Sequence, residues 1–325
     1  MKRPSTGFTL IEIMVTLLLS SVIIGAIGRF FIDSRSAFNK QHAMSYMVED
    51  GRYVLDIFGK EFRRAGFLKN GYAAHTAATD IFLADPNPAD ALGVMNSGVN
   101  LARGAFIGGS FNPTAFDAAG HDINHFLIRY QLNDDDLEFN GGDWTLTNPL
   151  SPCTRSASLP DFAAGDNVVL TLYFHVSPDT SGDPTVLHCE AQLDNLTPAR
   201  SWQTITAAEP LLSNVEKIYL AYGINTDNTS ITAANEGEVE AANQYVRADQ
   251  VQPLGVDRCF SNDLAVDCWT KVVSVRLYIV VRSEEQGIAK TTPSYAIEGQ
   301  SFTPNKPEEN RMYRVFSTTL ASRNQ

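Results

Sequence analysis

A strongly apolar run from Phe8 to Gly28 follows two basic residues, Lys2 and Arg3. As an α-helix its length of about 21 residues spans roughly 31 Å, enough to cross the hydrocarbon core of a bilayer. Such a segment must sit in lipid or be covered by other chains, and the rest of the fold has to accommodate it. One residue in it is wrong for lipid, Glu12. A carboxylate in a membrane segment is costly and marks function. A cut between Gly7 and Phe8 would make Glu12 the fifth residue of a chain beginning with an amine. Carboxylate and amine at one membrane face can then neutralise each other, within a chain or between neighbours. No small-residue cleavage site follows the run, and it is longer than an ordinary signal core, so it is expected to remain on the mature protein. Basic residues on its N-terminal side predict that side in the cytoplasm and everything after Arg29 outside the inner membrane.

The helical pattern continues past Gly28. Phe31, Phe38, Met44, Met47, Val48, Leu55, Phe58 and Phe62 recur near helical spacing with polar residues between, which predicts an amphipathic helix with this face buried. Gly51 and Gly59 weaken it by about 1 kcal/mol each and suit close packing. Arg63 and Arg64 complement the negative helix end, and Gly66 is a suitable C-cap. The predicted helix therefore runs from Phe8 to Ala65, about 85 Å. Its second half needs a partner, and a sheet from the remaining chain is the economical one.

From Tyr72 to Gly120, Ala, Gly, Asn and Asp dominate, with strand candidates only at Asp80–Ala84 and Leu101–Ile107. This reads as a long decorated connection. Strand signals strengthen afterwards, at His125–Leu132, Asn167–Val176, Thr185–Ala191, Leu212–Ile224, Lys271–Arg282 and Met312–Leu320. Ala233 to Ala242 suits one short helix. Strands joined by turns without alternating helices predict a mainly antiparallel sheet, and the fold class is α+β. The cysteines, Cys153, Cys189, Cys259 and Cys268, form no Cys-x-x-Cys pair, so the usual zinc and thioredoxin spacings are absent. In an oxidising compartment an even count reads as disulfides. Three pairings are possible. Cys153–Cys189 with Cys259–Cys268 closes the shorter loops and is preferred.

The stretch Gly7-Phe8-Thr9-Leu10-Ile11-Glu12 resembles the class III signal of type IV pilins and type II secretion pseudopilins. The resemblance implies cleavage after Gly7 by a membrane-embedded prepilin peptidase, N-methylation of Phe8 by the same enzyme, and a role for Glu12 in assembly through a neighbouring subunit's terminal amine. Arg52-Tyr53-Val54-Leu55-Asp56, with Glu61-Phe62-Arg63-Arg64-Ala65-Gly66-Phe67, is similar to the helix end of PilW-type minor pilins. The strand Val273–Ser283, Tyr295-Ala296-Ile297 and the end from Arg314 to Asn324 are similar to the same group, which itself resembles the J-type minor pseudopilins. Leu196-Thr197-Pro198-Ala199-Arg200 and Tyr222-Gly223-Ile224-Asn225 are weaker matches, and residues 70–250 carry only a loose likeness.

Charge and motifs narrow the function. The formal net charge is -12. Loss of Lys2 and Arg3 with the leader makes it -14. An acidic surface does not favour nucleic acid or anionic lipid, so no nucleic-acid partner is expected. His121 and His125 precede a strand and lack the His-Glu-x-x-His order of zincins, so they read as polar loop histidines. Asn133-Asp134-Asp135-Asp136 with Glu138, and Asn225, Asp227 and Asn228, are oxygen-rich turns; neither matches the EF-hand loop. No nucleophile elbow, Ser-x-x-Lys pair or phosphate loop is present. Trp144, Trp202 and Trp269 read as packing residues. No catalytic residue, metal or cofactor is expected.

The resemblance and the residues together give a minor pilin. Residues 1–7 would be the leader, 8–28 the transmembrane or filament-core half of the helix, 29–66 its exported amphipathic half, and 67–325 a periplasmic or extracellular β-rich domain. The implied partners are prepilin peptidase, other minor pilins, the major pilin, an inner-membrane assembly platform and a PilY-type tip adhesin. The expected role is priming of pilus assembly and residence in a tip complex. Two alternatives stay open, a minor pseudopilin of type II secretion and an adhesive tip module working through the 70–120 region.

Overall fold

A computed structural model describes residues 7, 9–69, 106–109, 125–133, 136–140, 143–146, 151–154, 168–178, 184–195, 201–224, 241–251, 269, 272–289, 294–304 and 306–321. Helix α1 (Leu10–Arg64) is 55 residues long, about 80 Å. It ends where Gly66 takes a φ of 75°, the left-handed geometry that stops a helix at little cost for glycine. The Gly66 N–H donates to the Arg129 carbonyl at 2.9 Å, and Gln131 N–H donates to the Phe67 carbonyl at 2.9 Å. These bonds stitch the helix end to strand β2 (Phe126–Gln131).

The strands are β1 (Ile107–Gly109), β2 (Phe126–Gln131), β3 (Leu137–Asn140), β4 (Asp143–Leu146), β5 (Val168–Pro178), β6 (Pro184–Asn195) and β7 (Ser201–Ser213). They continue with β8 (Val215–Ile224), β9 (Gln244–Val246), the single-turn helix α2 (Ala248–Val251), β10 (Val272–Arg282), β11 (Tyr295–Ile297), β12 (Gln300–Phe302) and β13 (Tyr313–Ala321). Two main sheets form, β1-β2-β5-β6-β7 and β13-β10-β8-β9, with the two-stranded pairs β3-β4 and β11-β12. Every pairing is antiparallel. The class is α+β, as expected, but with two main sheets where one was expected.

Both sheets share one core with α1. Met47, Val54, Phe58 and Phe62 from the helix meet Phe126, Ile128, Leu172 and Phe174 of one sheet and Val275, Leu277 and Ile279 of the other. At its centre the rings of Phe58, Phe126 and Phe174 lie 5.0–5.1 Å apart, tilted or offset, a geometry aromatic quadrupoles favour. Gly51 lets the helix lie close to β13, because a Cβ there would overlap the Phe316 ring. A Cβ at Gly59 would touch only the Arg63 side chain, so Gly59 serves no comparable approach.

Several sequence expectations are corrected. The helix face was placed partly wrong: Phe31 and Phe38 are each 66% exposed and Met44 44% exposed. The buried stripe is Ala43, Met47, Gly51, Val54, Phe58 and Phe62, since the sheets reach the helix only along its C-terminal part. The expected strand Leu212–Ile224 is two strands. Asn214, at φ 65°, separates them and passes the chain from one main sheet to the other. Of strand β7, the expected strand covers only the last two residues, Leu212 and Ser213. His125 is no loop residue on the surface. It is buried, with its ring 5.1 Å from that of Tyr173. The alternation around it predicts one wet face, yet Arg129, Thr171, His175, Gln192 and Asp194 on that face are buried too. Of the candidate Leu101–Ile107 strand, only Ile107 falls in β1 among the described residues. The expected strand at 80–84 lies outside the described residues, as does nearly all of the short helix expected at 233–242.

Candidate assembly interface

The exposed half of α1 begins with a built N-terminus. Thr9 precedes the helix in extended conformation, and the Glu12 carboxylate folds back over it. Its Oε2 accepts from the Thr9 backbone N–H at 3.4 Å and from the Thr9 hydroxyl at 3.5 Å. A carboxylate here also complements the positive helix end. The carboxylate therefore already faces the backbone immediately after Phe8, where a cut after Gly7 would create an amine. Gly7 is exposed with open space around it. Phe8 lies outside the described residues.

Beyond that turn the helix offers a bare apolar surface. Leu10 is 77% exposed, and Leu17, Leu18, Ile24, Phe30 and Ile32 are each exposed by more than half. Two of the hydroxyls in this stretch, on Thr16 and Ser21, place no unmet demand on lipid. Thr16 donates to the Ile13 carbonyl at 2.9 Å, and Ser21 to the Leu18 carbonyl at 2.8 Å, so each is satisfied within the helix. The helix is long and apolar enough to cross a membrane by length and composition. An apolar surface of this extent marks contact with a membrane or with other subunits.

The other half of α1 fixes that surface to the globular part. Near the helix end Glu61 is buried against β2, where the Tyr130 hydroxyl donates to its Oε2 at 3.3 Å. Burial pushes the Glu61 carboxyl from 4.5 up to about 7, although bonds to Ser151 and Tyr130 and the nearby Arg64 and Lys60 charges oppose the rise. Burial likewise raises the Tyr130 hydroxyl well above its ordinary value. The Arg64 guanidinium lies 5.8 Å from the Tyr130 ring centre. Ser151 belongs to a turn closed by a Cys153–Cys189 disulfide, whose Cα atoms are 5.5 Å apart. Thr154 and Ser151 cap that turn on each other. The disulfide thus ties the cover over Glu61 to strand β6. Sequence reading found the bond but missed the buried glutamate, although Glu61 falls at core spacing between Phe58 and Phe62.

The other expected sites separate as follows. Cys259 and Cys268 lie outside the described residues, as do Asp134, Asp135, Asn225, Asp227, Asn228 and His121. The Asp136 carboxylate is used locally, accepting from the Asn133 N–H at 2.9 Å. Among the described residues no group of three or more His, Cys, Asp or Glu side chains is arranged to hold a metal. Trp269 packs edge-on against Tyr222, ring centres 4.8 Å apart, and is a core residue.

Two families match the chain. The prokaryotic N-terminal methylation motif covers residues 2–28, the segment that contains Gly7, Phe8, Glu12 and the bare apolar helix. Type IV Pilus-assembly protein W covers residues 173–324, from β5 to beyond β13, and so takes in much of the middle that sequence reading recognised only loosely. No curated protein and no solved structure matches the chain. The chain thus carries a prokaryotic N-terminal methylation motif on its apolar helix and a Type IV Pilus-assembly protein W domain in the C-terminal part that spans its two sheets.

Proposed function

We propose that this protein is a minor pilin that helps prime type IV pilus assembly and then sits in a tip complex. The observation that carries the reading is the division of α1. One half is an uncovered apolar surface with a carboxylate at its start, and the other is locked into a large β-rich body. In this reading prepilin peptidase cuts after Gly7 and methylates Phe8. The globular part waits in the periplasm while residues 8–28 hold the chain in the inner membrane. The apolar surface then moves from lipid to the helices of other minor pilins and the major pilin. Glu12, already turned toward the backbone beside Phe8, exchanges its local bonds for a neighbour's terminal amine. In a low dielectric that pairing is worth far more than in water. The work is assembly rather than catalysis.

A clean deletion scored for surface pili and for protein secretion in one strain tests the reading. Lost piliation with normal secretion is expected. Lost secretion with normal piliation would move the protein to the pseudopilins, and survival of both would leave adhesion as its role.

A further inference from the structure

Four strands bound the two main sheets, β1 and β7 on one, β13 and β9 on the other. Three are blunted against recruiting another strand. β1 and β9 have three residues each. β7 is long but slips register three times against β6 and carries Pro210. Short length, bulges and proline are the devices that protect a sheet edge. β13 has none of them. Its nine residues pair one for one with β10, from Ala321 opposite Ser274 to Tyr313 opposite Arg282, without a register shift. No residue of β13 is buried, whereas β10 beside it is almost wholly so. Among the described residues no strand pairs with its other side. Alternate backbone groups of an antiparallel strand point away from its partner, so that side presents a regular row of donors and acceptors.

We propose that the outer edge of β13 is a strand-accepting site, which takes an extended segment of a different pilus-assembly subunit as a further strand of the β13-β10-β8-β9 sheet. A second copy paired antiparallel through its own β13 does not fit. Antiparallel pairing of β13 with itself requires a two-fold axis perpendicular to the sheet. The two α1 helices, each lying on that sheet, would then run in opposite directions. Their apolar halves could not enter one membrane or one filament together. This step rests on α1 being a membrane and filament anchor.

Charge narrows the occupant further. The one charged residue of β13 is Arg314, exposed, with its guanidinium 5.4 Å from the Phe316 ring centre. A carboxylate opposite Arg314 on the incoming segment would complement it. Ser317 and Thr319, also exposed on the edge, suit β-branched or hydroxyl neighbours. Main-chain bonds would supply affinity, and alternate side chains the choice of partner.

The test uses the full-length chain in its own cells, with a photo-crosslinking residue in place of Ser317 or of Thr319. The expected product joins this chain to another pilus-assembly subunit. The two probes should mark positions about two residues apart on one partner segment, as strand spacing requires. A product with a second copy, contacts scattered over unrelated segments, or no product at either position would overturn the proposal. Ser317→Pro and Thr318→Pro supply the second arm, with the probe at Thr319. Adjacent N–H groups in a strand point to opposite sides. One variant therefore loses a bond to β10 and a lower unfolding midpoint is expected. The other should keep the parent midpoint and lose the product, and retention of the product in that variant would overturn the proposal. N-terminal processing and membrane fractionation of the same samples report separately on the anchor reading.

Discussion

Glutamine in place of Glu61 is expected to stabilise this protein at alkaline pH. Glu61 is buried where α1 meets β2, and its carboxyl titrates at about 7 when folded, against an ordinary 4.5. A raised acid binds its proton more tightly in the folded chain. Stability is therefore undiminished below pH 4.5, falls as pH rises from there to 7, and stays lower above it. The difference corresponds to about 3 kcal/mol at 1.36 kcal/mol per unit. Glu61→Gln keeps an acceptor for the Tyr130 hydroxyl and removes the charge. It also adds an amide donor that needs a partner, which costs about 1–3 kcal/mol if none is found. The net gain expected at pH 8 is thus about 1–2 kcal/mol, with a loss of about 1–2 kcal/mol at pH 4, where the amide cost stands alone. The assay is urea unfolding of the full-length protein in detergent at both pH values, parent against variant. Burial also raises Glu190 to about 7, so both proteins keep some pH dependence. The difference between them isolates Glu61. A variant that is less stable than the parent at pH 8, or a difference that does not change with pH, would refute the reasoning.

Gly51→Ala is expected to lower stability by about 1–3 kcal/mol, because its Cβ meets the Phe316 ring; an unchanged urea midpoint would show that the helix can move away from β13. Serine at both Cys153 and Cys189 opens a loop with a sequence separation of 36 and should cost about 2–4 kcal/mol, read as a fall in midpoint in the absence of reductant; an unchanged midpoint would show that the bond does not hold the fold. Glu12→Ala should leave cleavage after Gly7 intact on a gel while reducing incorporation into sheared pili, and normal incorporation would end the charge-pairing idea.

Local chemistry made a good part of this molecule legible. The apolar run, the carboxylate in its first turn and the glycine at the helix end act through neighbours a few residues away, so spacing alone exposes them. Strand signals in β5, β8, β10 and β13 were read for the same reason, since β-branched and aromatic runs carry their own preference. What stayed hidden depends on contacts between distant segments. Phe31 and Phe38 have core spacing but no sheet above them, and periodicity cannot say where a partner ends. Asn214 looks like one polar residue inside a strand, yet its positive φ moves the chain between sheets. His125 and Arg129 alternate as a wet face would, and only the assembled fold covers them. Glu61 is the sharpest case. Its spacing was visible, but its weakened acidity comes from burial, against the opposing bonds to Ser151 and Tyr130, in a low-dielectric environment that exists only once helix, strand and disulfide-tied turn have met.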